Sequence, residues 1–356
     1  MQTKIPGQIP MVSIVIPVRN AENTLQEALD SVLEQTLQTF EIVVVDDGST
    51  DATPVLLKGY QQREPRLCVL RTDGLGPAGA RNRGIQECQG KYLFFMDGDD
   101  RIFPNALENM VAIAEKDQAQ VAIFGFLRTD GKKAQKFTYP DTRILGKAAL
   151  SDVLPSIYQS HLLNPVWNKL WDRQFVEAAG IRFQHVWYGE DRLFVFDCLR
   201  AAERVTVNHG TYYEYRIQQQ GSLVNRYFPE KFFICCRIDE EIRRLLREGG
   251  EITQEADSIL FQVYLKSILS CLSVICSPSA HLPFRDLYKE VKKILKSDQL
   301  RGQICSKRAE NWIFRVIQGV LRSGWVCPSI LMGWTLAFVE QKTPYLFSKA
   351  KNRIGR

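Results

Sequence analysis

Tyr92-Leu-Phe-Phe-Met96 followed by Asp97-Gly98-Asp99-Asp100 decides how this chain folds. The apolar residues form a run rather than an alternation, as in a strand covered on both faces. Acids stop the run at once. Two earlier stretches repeat the design: Val12-Ser-Ile-Val-Ile16 is stopped by Pro17, and Glu41-Ile-Val-Val-Val45 by Asp46-Asp47-Gly48. Residues 67–70 and 121–126 read as further strands. Between them the sequence predicts helices over 22–35, from the second strand end to about 63, over 78–88, and from Pro104 to about 116. In the first of these, Leu25, Ala28, Leu29, Val32 and Leu33 share one face. Strand and helix in alternation give right-handed crossovers and an open α/β sheet. Such sheets bind ligands beyond the carboxyl ends of their strands. Pro17, Asp46, Asp47, Asp97 and Asp99 all fall at those ends, so three strand ends carrying four carboxylates should converge on one crevice.

Carboxylates at i and i+2 beyond a strand end can both face one cation. Oxygen ligands suit hard ions such as Mg²⁺ or Mn²⁺, which commonly share them with substrate phosphates. A calcium loop fits poorly. Asp97, Asp99 and Glu108 take its positions 1, 3 and 12, but Arg101 stands at position 5 and Ile102 where the turn needs Gly. At the second strand end, Asp46 or Asp47 can accept a hydrogen bond from a base N–H or a ribose hydroxyl. Ser49, Thr50 and Asp51 read as helix caps. Gly79-Ala-Arg81-Asn-Arg-Gly84 reads as a helix start. There Arg81 and the helix N-terminus suit phosphate, unless the arginine is only a solvated surface residue. Glu190-Asp191 lies among Trp187, Tyr188 and Phe194. A carboxylate beside aromatics can hold its proton tightly, as a general base requires, although an acidic pair can also simply cap the next helix. Four scattered histidines show no metal spacing and no nucleophile signature.

The 356 residues, 45% of them hydrophobic, allow a sizeable core and two domains. Residues 1–230 form the α/β domain, with 1–127 as its first half and an aromatic-rich 128–230 as its second. Residues 231–356 turn helical. Nine cysteines include no CxxC pair, which points to reduced thiols in a cytosolic protein. Residues 1–11 are polar and lack the apolar run of a signal peptide. The net charge of +6 is uneven: residues 301–356 hold ten Lys or Arg against two acids. That segment, with its tryptophans, suits an anionic membrane surface or a helical packing module; nucleic acid is the weaker candidate. Its longest uncharged stretch, 323–339, is broken by Pro328 and Gly333 and is shorter than the roughly 20 apolar residues of a span.

In the order and spacing of these motifs the chain resembles family-2 glycosyltransferases. The matching text runs from Val12 to Glu22, then through Val-Val-Asp46-Asp-Gly-Ser-Thr-Asp51, Ala80-Arg-Asn-Arg-Gly84 and Phe95-Met-Asp-Gly-Asp-Asp100. It resumes at Val166-Trp-Asn-Lys-Leu-Trp171, Gly189-Glu-Asp191 and Tyr213-Glu-Tyr215-Arg216, with Ser222 downstream. The resemblance implies the GT-A nucleotide-diphospho-sugar transferase fold, a mostly parallel central sheet flanked by helices, here with a helical C-terminal region. It implies inverting, Mg²⁺- or Mn²⁺-dependent transfer from a nucleotide diphosphate sugar, most often UDP-linked, to a glycan or lipid-linked glycan of the bacterial cell surface. By it, Pro17, Arg19 and Glu22 border the nucleotide pocket, Asp47 binds the base edge, and Asp97 lies near the ribose. Asp99 is the main metal ligand, assisted by Asp97; Asp191 is the catalytic base, and Glu190 orients it or the acceptor. Gly98 is expected to be a tolerated variable position, and Arg19 stands where many relatives carry Tyr. The implied location is cytoplasmic and peripheral on the inner face of the cell membrane. Two rivals are disfavoured. A nucleotidyltransferase would carry a Gly-rich, Lys-containing loop after the first strand, and residues 18–24 have neither residue. A non-catalytic nucleotide-sugar-binding protein would not need intact Asp97, Asp99 and Asp191.

Overall fold

A computed structural model describes residues 9–186, 188–217 and 227–342, which divide into two units. Trp187, Ser222 and the basic stretch 343–356 lie outside the described residues. The first unit takes residues up to 186 with 190–218, and the second takes 187–189 with 219 onward.

In the first unit, β1 (Val12–Val18), β2 (Phe40–Asp47), β3 (Leu67–Thr72) and β4 (Tyr92–Phe95) run parallel in the order β3-β2-β1-β4. Helices α1 (Leu25–Leu33), α2 (Thr53–Arg63) and α3 (Gly76–Glu87) return the chain between them. Every residue of β1 except Pro17 is buried. Neither face is left for polar residues, which is why these strands read as runs. On α1, Leu25, Ala28, Leu29 and Val32 are buried, as their spacing predicts. Helix α3 lies hard against the sheet: a Cβ on Gly84 would sit 2.4 Å from Val15 Cγ1. Val18 pairs with Asp46, and the Met96 N–H donates to the Val15 carbonyl. The chain therefore leaves β1, β2 and β4 side by side, and Pro17, Asp46, Asp47 and Asp97 share one sheet edge.

Beyond β4 the pairing changes. The chain passes through β5 (Arg101–Ile102), α4 (Ala106–Asp117), β6 (Val121–Thr129), β7 (Ala134–Phe137), β8 (Thr142–Leu145) and α5 (Gly146–Gln159). It then enters β9 (Lys169–Asp172), which inserts between β4 and β6 antiparallel to both. Helices α6 (Arg173–Ala178) and α7 (Glu190–Ala201) lead to β10 (Arg204–Arg216), parallel to β6 and antiparallel to β5 and β8. The central sheet is thus parallel over its first four strands and mixed beyond. Short strands with one polar face, such as β7 and β8, give no apolar run to read.

The second unit is helical: α8 (Lys231–Gly249), α9 (Gln254–Cys276), α10 (Phe284–Lys296), α11 (Asp298–Ser306), α12 (Trp312–Ser323) and α13 (Val326–Lys342). Phe232, Phe261, Leu265, Leu272 and Val291 belong to its core. Helix α9 is long and apolar enough to cross a membrane by length and composition, but 72% of its apolar window is buried within the protein, the condition of a core helix. All nine cysteines are free thiols, six of them buried. Cys235 and Cys271 approach to 3.6 Å between sulfurs without a disulfide.

Candidate active site

The acid loop after β4 is fixed from β10. The Tyr213 hydroxyl donates to Asp100 Oδ2 at 2.7 Å and accepts the Asp97 N–H at 3.1 Å, while the Arg216 N–H donates to Asp100 Oδ1 at 2.8 Å. Trp167 stacks flat on Tyr213, with ring centroids 4.2 Å apart. From the other side Thr24 Oγ1 donates to the Gly98 carbonyl at 3.0 Å. Tyr213 and Asp100 are therefore the residues that set the loop's shape. Neither stood out as a site residue in the sequence, although both lie inside motifs quoted above.

Gly98 is not a tolerant position. A Cβ there would stand 2.8 Å from Val18 Cγ1, and the short valine side chain cannot swing aside. Gly98→Ala is expected to cost about 1–3 kcal/mol, the usual range for overpacking. A thermal melt unchanged from wild type would contradict this.

Asp97 and Asp99 point chemistry toward a cation. Burial pushes the Asp99 carboxyl up to about 6, and Asp97 adds to the rise, with Arg216 opposing it. Burial, Asp97 and Asp99 also raise Asp100 well above the ordinary carboxylate range. Three acids in four residues disfavour one another's charge, and a divalent ion relieves that. No group of three or more His, Cys, Asp or Glu side chains forms a metal cage among the described residues. The donor set fits an ion held by one or two carboxylates and completed by substrate phosphate, the usual arrangement for Mg²⁺.

Arg81 is the hub of the site. Its Nη2 donates to Asp97 Oδ1 at 3.0 Å, and its Nη1 to Asp191 Oδ1 at 2.7 Å and Glu190 Oε1 at 3.3 Å. The Arg81 side chain is 5% exposed, while those of Asp97, Glu190 and Asp191 keep 32, 18 and 22%. The cation is thus sealed beneath carboxylates that solvent can reach. Burial favours loss of its proton, but Asp191, Asp97 and Glu190 outweigh burial and raise its proton affinity. This corrects the reading of Arg81 as a phosphate ligand at a helix start: both its terminal nitrogens are engaged by three acids, and it lies inside α3. Its neighbour Asn82 exchanges two 2.8 Å hydrogen bonds with the Phe183 backbone. That clamp places the Phe183 ring near the guanidinium, 5.4 Å from centroid to Cζ, and stacks it on Phe194 of α7 at 4.0 Å. Helix α7, which carries Glu190 and Asp191, is held against Phe183 in this way.

Burial pushes the Asp191 carboxyl up to about 7. Arg81 pulls it down, Glu190 and Asp97 push it up, and Lys169 pulls it down again. Lys169 itself is fully buried and donates to the Leu162 and Pro165 carbonyls and to Asn168 Oδ1.

The second strand end behaves differently from expectation. Asp47 accepts from Thr72 Oγ1 and from the N–H groups of Leu75 and Gly76, each at 2.7 Å. It thus caps α3, taking the helix N-terminus that phosphate was expected to take. Burial pushes its carboxyl up, but these hydrogen bonds prevail and hold it below its ordinary value. Asp46 accepts from the Ser49 N–H at 2.9 Å and from Arg71 at 3.1 Å. Both acids are at most 4% exposed, so they shape the rim from within. Glu22, which is exposed, accepts the Ala52 N–H at 2.9 Å. Ser49, Asp51 and Thr53 accept the N–H groups of Asn20, Glu22 and Ala21, stitching the loop after β2 to the loop after β1. Pro17 is half-buried and Arg19 exposed at that stitched edge.

The chain is similar to known glycosyltransferases in sequence and fold. Residues 13–182 match the family model described as glycosyl transferase family 2. The chain is 26% identical over 310 residues to the uncharacterized glycosyltransferase EpsJ of Bacillus subtilis, covering 83% of this chain and 86% of that protein. It is 30% identical over 217 residues to the succinoglycan biosynthesis protein ExoO of Rhizobium meliloti, covering 60% of this chain and 62% of that one. Among solved structures, S. aureus TarS 1–349 in complex with UDP aligns at a TM-score of 0.62 and 19% identity, covering 93% of this chain and 91% of that chain, a likeness of fold.

Proposed function

Since the chain belongs to glycosyltransferase family 2 and its first unit has the GT-A architecture, we propose that it catalyses inverting transfer of a hexose-type sugar from a nucleotide diphosphate, UDP in the first instance, to a hydroxyl of a glycan or lipid-linked glycan. One observation carries the reading. Arg81 gathers Asp97, Glu190 and Asp191 from distant parts of the chain at the sheet edge where α/β folds bind ligands.

Asp191 is assigned as the base. As the acceptor oxygen attacks the anomeric carbon, Asp191 takes its proton; the bond to the diphosphate breaks on the opposite face, and its electron pair leaves with the diphosphate. Arg81 holds Asp191 toward the acid loop, and Glu190 keeps its proton affinity high. A Mg²⁺ or Mn²⁺ ion at Asp99, assisted by Asp97, would neutralise the charge on the leaving diphosphate. Donor contact is assigned to the rim at Pro17 and Arg19, with Asp97 toward the ribose; Asp46, Asp47 and Glu22 support that rim. A lipid-linked acceptor would bring the enzyme to the inner face of the cell membrane, with the basic C-terminal region as the contact.

Asp99→Ala tests the assignment. Transfer from a panel of UDP-sugars in Mn²⁺ should fall on the order of a hundredfold. The melting temperature should hold, because the variant removes a carboxylate whose charge burial disfavours. Full activity in this variant would remove Asp99 from the metal site.

A further inference from the structure

Between residues 284 and 339, ten Lys or Arg stand against four Asp or Glu. Eight of the fourteen large apolar side chains exposed among the described residues lie in the same stretch. The two features meet on α10 and α13. Helix α13 lies directly on α9: a Cβ on Gly333 would meet Cys276 Sγ at 2.5 Å and the Leu272 carbonyl at 2.9 Å. Its other side is also apolar. Leu331, Trp334 and Phe338, spaced i, i+3, i+7, are 63, 45 and 62% exposed. Phe284 of α10 approaches Trp334 with ring centroids 6.5 Å apart, so the stripe continues onto α10. A helix apolar on all sides but covered on one calls for a second apolar or interfacial partner.

Beside the stripe is a cavity of about 480 Å³, lined by Tyr288, Lys292, Lys296, Arg301 and Trp325 among others. No carboxylate pairs with Lys292, Lys296 or Arg301 among the described residues, whereas Lys289, on the same helix, is paired with Asp286 at 3.2 Å. Arg301 donates through Nε to the Leu295 carbonyl at 3.3 Å. Trp325 is 69% exposed. Three like charges around one cavity repel each other, and an anion relieves the repulsion.

We propose that this face docks on an anionic lipid bilayer, with the cavity taking a lipid phosphate while Leu331, Trp334 and Phe338 enter the headgroup region. Charge and apolarity together select the lipid: a soluble phosphate has no use for the stripe. Helix α13 has 17 residues, about 25 Å, short of the hydrocarbon thickness, so it lies on the surface rather than crossing. The inference rests on the membrane contact proposed above for the partner's class, names its residues, and uses none of the catalytic ones.

The test is co-sedimentation of the full chain with vesicles of phosphatidylcholine, alone or mixed with phosphatidylglycerol, at low salt. Binding is expected only to the anionic vesicles and should be released by salt. The triple variant Lys292→Ala, Lys296→Ala, Arg301→Ala should lose on the order of a hundredfold in partitioning. Trp334→Ser, outside the cavity on an exposed stripe, should weaken binding with the melting temperature unchanged, and so serves if the triple variant fails to fold. Unaltered vesicle binding in Trp334→Ser, or equal binding to neutral vesicles, overturns the proposal. So does a thermal shift with inorganic phosphate from a protein that ignores vesicles, since the cavity would then be a soluble-anion site. Asp191→Asn should bind vesicles like wild type, so failure here leaves the catalytic reading standing, and failure of Asp191 leaves this one.

Discussion

Asp191→Asn lowers kcat/KM on the order of a thousandfold, within the range expected for removing a general base. The substitution keeps the shape and a hydrogen-bond acceptor for Arg81, so the melting temperature should move by only a few degrees while donor binding survives. Steady-state transfer and a calorimetric titration with UDP separate the two effects. A variant that retains wild-type turnover would remove Asp191 from the chemistry.

The same residue sets the pH dependence. Its folded carboxyl is pushed up to about 7, first by burial, with Glu190 and Asp97 adding and Arg81 and Lys169 opposing. A base works only when ionised, so kcat/KM should climb with pH through about 7. Glu190→Gln removes one of the charges that raise it, and the ascending limb should move to lower pH. A merely structural role for Glu190 would lower activity without moving the limb. Stability runs the other way. The folded value lies above the unfolded one, near 3.9, so the contribution of Asp191 is fully present at low pH and is lost as pH rises through about 7. The site is least stable in its ionised, working form.

The strands β1, β2 and β4 were legible because burial on both faces leaves an uninterrupted apolar run in the sequence. Strand β9 was not. Lys169-Leu-Trp171-Asp172 carries a lysine that is fully buried because three oxygens accept its N–H groups, and nothing in a linear reading marks such a lysine as interior. The acid pair Asp97 and Asp99 was legible as a candidate because it follows an apolar run directly, but Asp46 and Asp47 show that acids at a strand end can equally serve as structural acceptors.

What they touch was not legible. Arg81 meets partners 16, 109 and 110 residues away, a separation that carries no local signal. Asp47 resembled a ligand residue because its real donors include two backbone N–H groups, which every residue type except proline offers. Ser49 was read as a cap of its own helix but accepts the Asn20 N–H of the loop after β1. Tyr213 could have been found. It sits in a quoted motif, and a tyrosine at the end of a strand, with a carboxylate elsewhere at the same sheet edge, is a reasonable pair to test.

Arg81→Ala should strongly destabilise the first unit. Removing one partner of a buried ion pair typically costs about 3–5 kcal/mol, and here one cation serves three acids. For a unit of this size that corresponds to a fall of roughly 10 °C in melting temperature. The effect has a sign that distinguishes charge from packing. Without the guanidinium the three carboxylates repel one another, and Asp191, whose carboxyl is already raised by burial, loses the charge that pulls it down. Groups raised in this way stabilise at low pH and lose that stabilisation as pH rises. The deficit relative to wild type should therefore be small in mildly acidic buffer and largest above neutrality. Arg81→Lys should fall between, because an ammonium is a point charge and cannot reproduce the fork that spans Asp97 on one side and Glu190 and Asp191 on the other. A deficit equal at acid and alkaline pH would mean that Arg81 matters for its contact with Phe183, and that the three carboxylates are held together by something else.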